Sequence, residues 1–225
     1  MCFKYYRFSS KEAAKLFVNE GLIYFNSLNY YKKYPEENNA IKDLNEGSIK
    51  LSIPKNNLEI IFNEQVIKND EISSQNIIIK KELKELENFF IFCLSNKYSE
   101  IMYSKFNANT CVEIKNIDEL FRRIQKTLPE NYNLYFDDVE YYDPKILIKN
   151  KKPLCLYKSQ EYKYQSESRF YIHVPYIEET KCKANFKDIG QYKNLIMHLK
   201  LQKLQCIELK LGDLSDICHI INIES

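Results

Sequence analysis

Six consecutive apolar residues at positions 89–94, Phe-Phe-Ile-Phe-Cys-Leu, constrain the fold of this chain more than any other segment. The run has the length of a β-strand, and a strand with one wet face would alternate apolar and polar side chains. Apolar side chains on both faces are typical of a strand in the centre of a sheet that is covered on both sides. The sequence therefore predicts a central strand over residues 89–94.

The N-terminal part of the chain predicts a strand, a helix and a second strand, in that order. Ser9, followed three residues later by Glu12, matches a capping box, and apolar residues then recur at helical spacing as far as Gly21. We therefore expect a helix over residues 10–20. The flanking strand candidates are residues 3–8 and 22–25.

Further along the chain, strand-like segments outnumber helical ones. A helix capped by its first residue is expected over 118–128, and residues 80–86 have a helical pattern. Residues 29–47 are polar and turn-rich, which is typical of a surface loop. A hairpin is expected where residues 49–53 and 58–62 flank a turn. Other strand candidates are residues 110–114, 139–142, 154–157, 169–174, 195–201 and 206–211.

The order and the number of these elements predict an α+β fold. The chain has 225 residues, which suits one sizeable domain better than two small ones, and neither a repeat nor a linker composition divides it. We expect a single strand-rich domain over residues 1–225 with few helices.

Composition excludes several classes of protein. Lys and Arg number 33 against 31 Asp and Glu, so the net charge of +2 lacks the basic excess of a duplex-binding protein. The chain has 4 glycines and no G-x-G-x-x-G, P-loop or G-x-S-x-G motif, which disfavours Rossmann, kinase and α/β-hydrolase folds.

The cysteines and histidines show no metal-site spacing. The seven cysteines are scattered without a C-x-x-C pair, and the three histidines match no ligand motif, so we expect neither a metal nor a disulfide framework. No apolar stretch approaches the roughly 20 residues of a bilayer span, and the first residues lack the apolar core of a signal peptide. The predicted location is the cytoplasm, without a membrane partner.

Three polar residues, Arg7, Ser95 and Glu167, are each attached to a strand-like segment. They belong to a series of motifs: Tyr-Arg at 6–7, Gly-x-x-Tyr-Phe-x-Ser at 21–27, Cys-Leu-Ser at 93–95, Ile-Met-Tyr-x-x-Phe at 101–106 and Tyr-Gln-x-Glu-x-Arg at 164–169. This order resembles a widespread uncharacterised bacterial and phage family with Tyr-Arg, Cys-Phe-Ser, Met-Trp and Tyr-Glu-x-Glu-Tyr-Arg motifs. The chain departs from that pattern at Tyr103, where Trp is usual, and at Gln165, where Glu is usual.

The layout in turn resembles the ADP-ribosyltransferase arrangement of Arg, Ser and Glu on three core strands of a split mixed sheet. On that resemblance, Arg7 would hold the NAD pyrophosphate, because a guanidinium pairs bidentately with phosphate oxygens. Ser95 would hydrogen-bond the ribose or orient the glutamate. Glu167 would stabilise the cationic sugar that develops as nicotinamide leaves.

The same resemblance assigns roles to three further side chains. Gln165, two residues before the glutamate, would point to the same side of an extended segment and position the acceptor. An aromatic side chain, either Tyr24 or Tyr103, would stack on the nicotinamide.

The resemblance implies that NAD is a substrate, that no metal is needed, and that ADP-ribose is transferred or hydrolysed. A toxin, defence or counter-defence protein of bacteria or phages fits this pattern, by analogy only. The acceptor, protein or nucleic acid, stays open. A second interpretation is a non-catalytic module that binds a protein or a nucleotide. A third, a metal-dependent nuclease, would use the carboxylates at 137, 138, 140 and 143, for which a solvated turn is the simpler interpretation.

Each candidate residue also has a purely structural interpretation. Arg7 would pair with a carboxylate across the sheet, and Ser95 would cap a turn at a strand end. Glu167 and Arg169 would form a surface ion pair of little energetic weight. Two further charged segments have both kinds of interpretation. The turn 43–47 would be a lid or acceptor loop, and the Arg122-Arg123 pair would be a phosphate site, but a solvated segment is the simpler interpretation of each.

Overall fold

The computed structural model describes residues 3–34, 41, 43–54, 60–62, 65–67, 76–83, 88–146, 152–174 and 206–222. The described strands are β1 (Tyr5–Ser9), β2 (Leu22–Ser27), β3 (Ser48–Pro54), β4 (Ile60–Phe62), β5 (Gln65–Ile67), β6 (Asn76–Glu82), β7 (Phe89–Ser95), β8 (Thr110–Ile114), β9 (Asn133–Asp138), β10 (Glu140–Tyr142), β11 (Tyr157–Ser159), β12 (Glu167–His173), β13 (Cys206–Lys210) and β14 (Cys218–Asn222). The described α-helices are α1 (Lys11–Glu20), α2 (Leu28–Lys32), α3 (Ile101–Lys105) and α4 (Ile117–Thr127), and 3₁₀ helices lie at Leu154–Leu156 and Gln160–Gln165.

Eight of these strands form the main sheet. Six follow the order β13-β2-β7-β1-β8-β14, and β12 joins β7 to β9. All pairings described within this sheet are antiparallel, so the expected mixed sheet is wrong here. The described parallel pair, β10 with β11, belongs to a separate two-stranded sheet. Because antiparallel neighbours need no helical crossover, this pattern agrees with the small number of described helices. The fold is a strand-rich α+β fold.

The main sheet splits beside β7. One edge of β7 pairs with β12 along its whole length, from His173 opposite Phe89 to Glu167 opposite Ser95. The other edge is shared, since β2 pairs only at positions 90–91 and β1 pairs only at Ser95. Residues 92–94 face neither strand on that edge. The strands β1 and β2 therefore diverge and leave a gap in the sheet.

The prediction for residues 89–94 is confirmed, because both faces of β7 are covered. Phe90 and Phe92 belong to a cluster with α1, α4 and neighbouring strands, and both are at most 1% exposed. Ile91 points to the opposite face, into a cluster with Leu28 of α2 and Leu156. Alternate residues of a strand lie on opposite faces, so an uninterrupted apolar run serves both cores.

The strand, helix, strand opening is also confirmed, with a shift in the cap. Ser10 rather than Ser9 caps α1, and its hydroxyl accepts from the backbone N–H of Ala13 at 3.2 Å. Gly21 ends the helix with a φ of 61°, a left-handed conformation that a glycine adopts without steric cost.

The helix expected over residues 118–128 is confirmed as α4, with its N-cap two positions before the expected one. Asn116 takes the place of Asp118 as N-cap, and its side chain accepts from the N–H of Glu119 at 3.0 Å. Within α4, Leu120 and Ile124 are fully buried. Among the described residues, no helix combines the length and the apolar character that crossing a bilayer requires.

Several other sequence predictions are confirmed by strands. The segments 110–114, 139–142, 169–174 and 206–211 correspond to β8, β10, β12 and β13 with small shifts. The strands β9 and β14 were not expected, and residues 195–201 lie outside the described part of the chain. Residues 154–156 form a 3₁₀ helix instead of a strand, and β11 follows it.

The expected hairpin and the expected helix near residue 80 are both wrong. β3 pairs with β6, from Ser48 opposite Glu82 to Pro54 opposite Asn76, whereas β4 pairs with β5. Residues 80–82 are therefore part of a strand, and 84–86 lie outside the described residues. β3 therefore pairs with β6, a strand further along the chain, and not with the segment that directly follows the expected turn.

Where the structure describes it, at residues 29–34, 41 and 43–47, the polar segment 29–47 is not the surface loop that its composition predicts, and residues 35–40 and 42 lie outside the described part of the chain. It begins inside α2, which Ser27 caps by accepting from the N–H of Tyr30 at 3.2 Å. Later in the segment, Asp43 is 3% exposed and Glu46 is 2% exposed. Their burial has an electrostatic reason, which lies in the site described next.

Candidate functional site

The gap between β1 and β2 opens into a cavity of about 520 Å³. Its walls include residues of β1, β2, β7, β12 and α2. Lys158 of β11 and Gln165, at the end of the second 3₁₀ helix, also line it. Five of the six predicted site residues line it, namely Arg7, Tyr24, Ser95, Gln165 and Glu167. The split in the sheet thus brings together residues that are up to 160 positions apart in the sequence.

Arg7 lies in the gap itself and is half-buried. Its guanidinium carbon is 4.4 Å from the centre of the Phe92 ring and 5.9 Å from that of Phe17, which are distances of cation–π contact. No carboxylate among the described residues forms an ion pair with it. Burial lowers the pKa of Arg7, because the charged form is desolvated. The expected cross-sheet ion pair is thus not found in the described part of the chain.

Glu167 has both carboxylate oxygens occupied. Its Oε1 accepts from Arg169 Nε at 2.6 Å, and its Oε2 accepts from Lys158 Nζ at 2.9 Å. The side chains of all three residues are at most 6% exposed, so the surface ion pair considered for Glu167 and Arg169 is a buried one. Burial would raise the pKa of Glu167, but the charges of Arg169 and Lys158 outweigh it and hold this pKa well below its usual range.

Arg169 is fully buried and fully paired. Its Nη1 donates to Glu46 Oε1 at 2.6 Å and to the carbonyl of Cys155, and its Nη2 donates to Glu46 Oε2 at 3.1 Å. Burial would lower the pKa of Arg169, but Glu167 and Glu46 raise it well above the usual value. Glu46 is therefore buried because it completes the pairing of this guanidinium.

Lys158, Glu167, Arg169 and Glu46 form a four-charge cluster that is formally neutral. Asp43 adds a negative charge beside it and accepts from the N–H of Asn45 at 2.8 Å. Burial, followed by the charge of Glu46, raises the pKa of Asp43 to about 6. The turn 43–47 is consequently not solvated at its two carboxylates.

Gln165 and Ser95 are tied to each other at the floor of the cavity. Ser95 Oγ lies 2.8 Å from the carbonyl of Gln165 and 2.7 Å from that of Lys97, and it accepts from the Lys97 N–H at 3.3 Å. The turn-capping interpretation of Ser95 is thus confirmed, and the same hydroxyl lies at the cavity wall. Its contact with the residue two positions before Glu167 lets it orient that strand end.

Gln165 does not lie on an extended segment with Glu167. It ends a 3₁₀ helix, and Ser166 after it has a φ of 42°, so the chain turns sharply between the two residues. Their side chains nevertheless meet at one atom, since Lys158 Nζ also donates to Gln165 Oε1 at 2.8 Å.

The two aromatic candidates differ in position. Tyr24 lines the cavity and is 40% exposed at its rim. Tyr103 does not line it, because α3 packs it edge-on against Phe8 at 5.1 Å and brings its hydroxyl within 3.4 Å of that of Tyr98. The sequence did not single out Tyr30 and Tyr31 of α2, which also form part of the cavity wall.

The carboxylates considered for a nuclease do not converge on one point. Asp137 pairs with Lys152 at 2.9 Å, Asp138 accepts from Ser168 and Asn96, and Asp143 accepts from the N–H of Lys145. In the part of the chain that the structure describes, no three His, Cys, Asp or Glu side chains form a group that could hold a metal ion.

The remaining candidates occupy surface or edge positions. Arg122 pairs with Glu119 on the solvated face of α4, and Arg123 bridges Glu119 and Asp216. His173 stacks on Phe89 at 4.5 Å between ring centres, and His198 lies outside the described residues.

Lys158 and Glu46 complete the site; sequence reasoning missed Lys158 and considered Glu46 only as part of the turn 43–47. Lys158 follows an apolar segment, but nothing distinguishes it among so many lysines. Glu46 lies in a turn-rich stretch that looks solvated. The signal that could have found them is charge balance, because Glu167 and Arg169 on one buried strand require further partners.

The comparisons with known proteins identify no relative. No protein-family model, no curated protein and no solved structure matches this chain.

Proposed function

We propose that the cavity binds NAD and that the protein is an ADP-ribosyltransferase-like enzyme, which transfers or hydrolyses the ADP-ribose part of NAD. The observation that carries the proposal is the position of Arg7. A desolvated guanidinium without a carboxylate partner among the described residues lies in the same cavity as Glu167, whose pKa is held well below its usual range by Arg169 and Lys158.

Arg7 supplies the affinity for an anion. A half-buried cation that has no carboxylate partner among the described residues is unfavourable, and a bound pyrophosphate would compensate it with two short charge-assisted hydrogen bonds. The faces of the Phe92 and Phe17 rings contact the guanidinium, and its N–H groups are the donors that a ligand in the cavity would meet.

Glu167 supplies a fixed negative charge for the chemical step. When the bond between nicotinamide and ribose breaks, its electron pair moves to the nicotinamide nitrogen and the sugar becomes a cation. A carboxylate held by Arg169 and Lys158 stabilises that cation without having to reorganise. The acceptor nucleophile, or water, then forms the new bond to the sugar carbon and releases its proton to solvent.

A non-catalytic nucleotide-binding module is the second candidate, and one observation favours it. Both oxygens of Glu167 are already hydrogen-bonded inside the protein, so the carboxylate is screened from a ligand by its own partners. This alternative predicts a saturable nucleotide complex without consumption of NAD. In either case, a role in conflict between phages and bacteria is part of the proposal by analogy.

The test is nicotinamide release from NAD by the purified protein, with and without cell lysate as the source of acceptor. Glu167→Gln is the obvious variant, but it leaves two buried cations with a single carboxylate. Glu167→Gln combined with Lys158→Met keeps the four-charge cluster neutral and is the better inactive variant. Arg122→Gln, on the solvated face of α4, is the matched control.

We expect release by the wild type and by Arg122→Gln, and a loss of about 100-fold or more in the double variant, because the charge that stabilises the sugar cation is removed. If the folded wild-type protein binds NAD but releases no nicotinamide, the enzymatic proposal is wrong and the non-catalytic nucleotide-binding module is favoured.

A further inference from the structure

Lys158 is among the most buried lysines that the structure describes, with a side chain 6% exposed in the middle of β11. Lysines are almost never buried unless they are paired. Its ammonium group also lies 4.9 Å from the centre of the Tyr162 ring, which covers it from one side. Such a position requires a role that a surface lysine could not fulfil.

The contacts of Lys158 join the two residues of the late motif. Its Nζ donates to Gln165 Oε1 at 2.8 Å and to Glu167 Oε2 at 2.9 Å, and it lines the cavity with both. The sharp turn at Ser166 means that the backbone does not align these two side chains. The ammonium group of Lys158 therefore connects the two side chains at the same place in the wall.

We infer that Lys158 is a positioning residue for the proposed reaction: it holds the Gln165 amide and the Glu167 carboxylate in fixed orientations at the cavity. This inference rests on the proposed function. Arg169 holds the other oxygen of Glu167 and is itself occupied by Glu46. Without Lys158, Glu167 Oε2 and the side-chain oxygen of Gln165 would both lose the ammonium donor that they share.

The variants follow from the charges around the ammonium group. The groups that face it are Gln165, Glu167, Arg169, Glu46, Asp43, Cys93, Tyr141 and Tyr162. Lys158→Met adds one net negative charge to this buried cluster and could prevent folding. Lys158→Met combined with Asp43→Asn restores the wild-type charge sum. Asp43→Asn alone is the matched control, because Asp43 does not line the cavity, and Lys158→Arg restores the charge and the donors.

The measurement is steady-state nicotinamide release across pH for the wild type and these variants, with folding checked by circular dichroism. We expect the double variant to lose about tenfold or more in kcat relative to Asp43→Asn, with KM for NAD changed by less than about threefold. Lys158→Arg should recover a large part of kcat. In the double variant, kcat should also fall on the acidic side, where Glu167 becomes protonated, whereas the profile of Asp43→Asn, which lacks the same surplus carboxylate, should stay flat.

Two results would overturn the inference, and they are distinguishable. If kcat of the double variant stays within about threefold of that of Asp43→Asn, Lys158 has only a structural role. If the wild type and Asp43→Asn also release no nicotinamide, the proposed function fails and the inference falls with it.

Discussion

Arg7 and Arg169 are two inward-facing arginines of one sheet in opposite electrostatic situations. Arg169 is fully buried and donates to Glu167, Glu46 and a backbone carbonyl, so its charge is balanced by partners within the protein. Arg7 is half-buried on aromatic rings, and none of the described carboxylates pairs with it. The comparison teaches that burial of an arginine does not define a site. A candidate site is instead marked by an inward-facing charge, such as that of Arg7, that has no counter-charge among the described residues.

The largest effect is expected from Arg169→Met. Removal of the guanidinium leaves Glu46 and Glu167 buried with Lys158 as the main remaining cation, and breaking such a network costs about 3–5 kcal/mol. Urea unfolding should show this loss in the free energy of unfolding. A loss below about 1 kcal/mol would mean that Arg169 contributes as little to the free energy of unfolding as Arg7 is expected to, and the contrast between the two arginines would be wrong.

The next effect concerns the surplus charge beside the cluster of Arg169. Burial and Glu46 raise the pKa of Asp43 from 3.8 to about 6. The stability supplied by its protonated form is fully present below pH 3.8 and is lost as pH rises through about 6, because the folded state binds this proton more tightly than the unfolded state.

Asp43→Asn should therefore stabilise the protein at about pH 7.5 by up to about 3 kcal/mol, from about two pKa units at 1.36 kcal/mol each. At about pH 4 the difference between the variant and the wild type should largely vanish. Thermal unfolding at both pH values measures it. An equal effect at both would assign the change to packing instead of charge.

Arg7→Met should change stability far less than Arg169→Met does. No described carboxylate loses its partner, and a desolvated charge is removed, so the free energy of unfolding should stay within about 1 kcal/mol of the wild-type value. Urea unfolding checks this. A loss as large as that of Arg169→Met would reveal a structural partner for Arg7 and remove the distinction between the two residues.

The smallest effect is expected from Arg122→Gln. The Arg122 side chain is 63% exposed and pairs with Glu119 one turn away, so its loss should change the free energy of unfolding by less than about 0.5 kcal/mol. The same urea titration provides this baseline. A larger loss would show that a surface pair carries unusual weight in this protein, and the scale of the comparison would need revision.

The sequence predicts the parts of this molecule that depend on local patterns. The apolar run 89–94 gives the central strand, and the motif order brings Arg7, Ser95, Gln165 and Glu167 to one cavity once their strands are neighbours. The N-caps were off by one or two positions, since Ser10 and Asn116 are as good caps as Ser9 and Asp118.

What the sequence could not predict depends on contacts between distant segments. The pairing of β3 with β6 bypasses a plausible local hairpin, because strand register is set by tertiary packing. The burial of Glu46 follows from Arg169, which is 123 positions away in the chain. Polar composition alone cannot distinguish a solvated turn from one whose carboxylates are claimed by a buried cation.

The most direct test of the central claim is calorimetric titration of NAD into the wild-type protein and Arg7→Met under identical conditions. We predict saturable binding by the wild type and an affinity at least about tenfold lower in the variant, with both proteins equally folded. Equal affinities, or no binding by the folded wild type, would contradict the claim that the unpaired guanidinium in the split sheet is the anchor for this ligand.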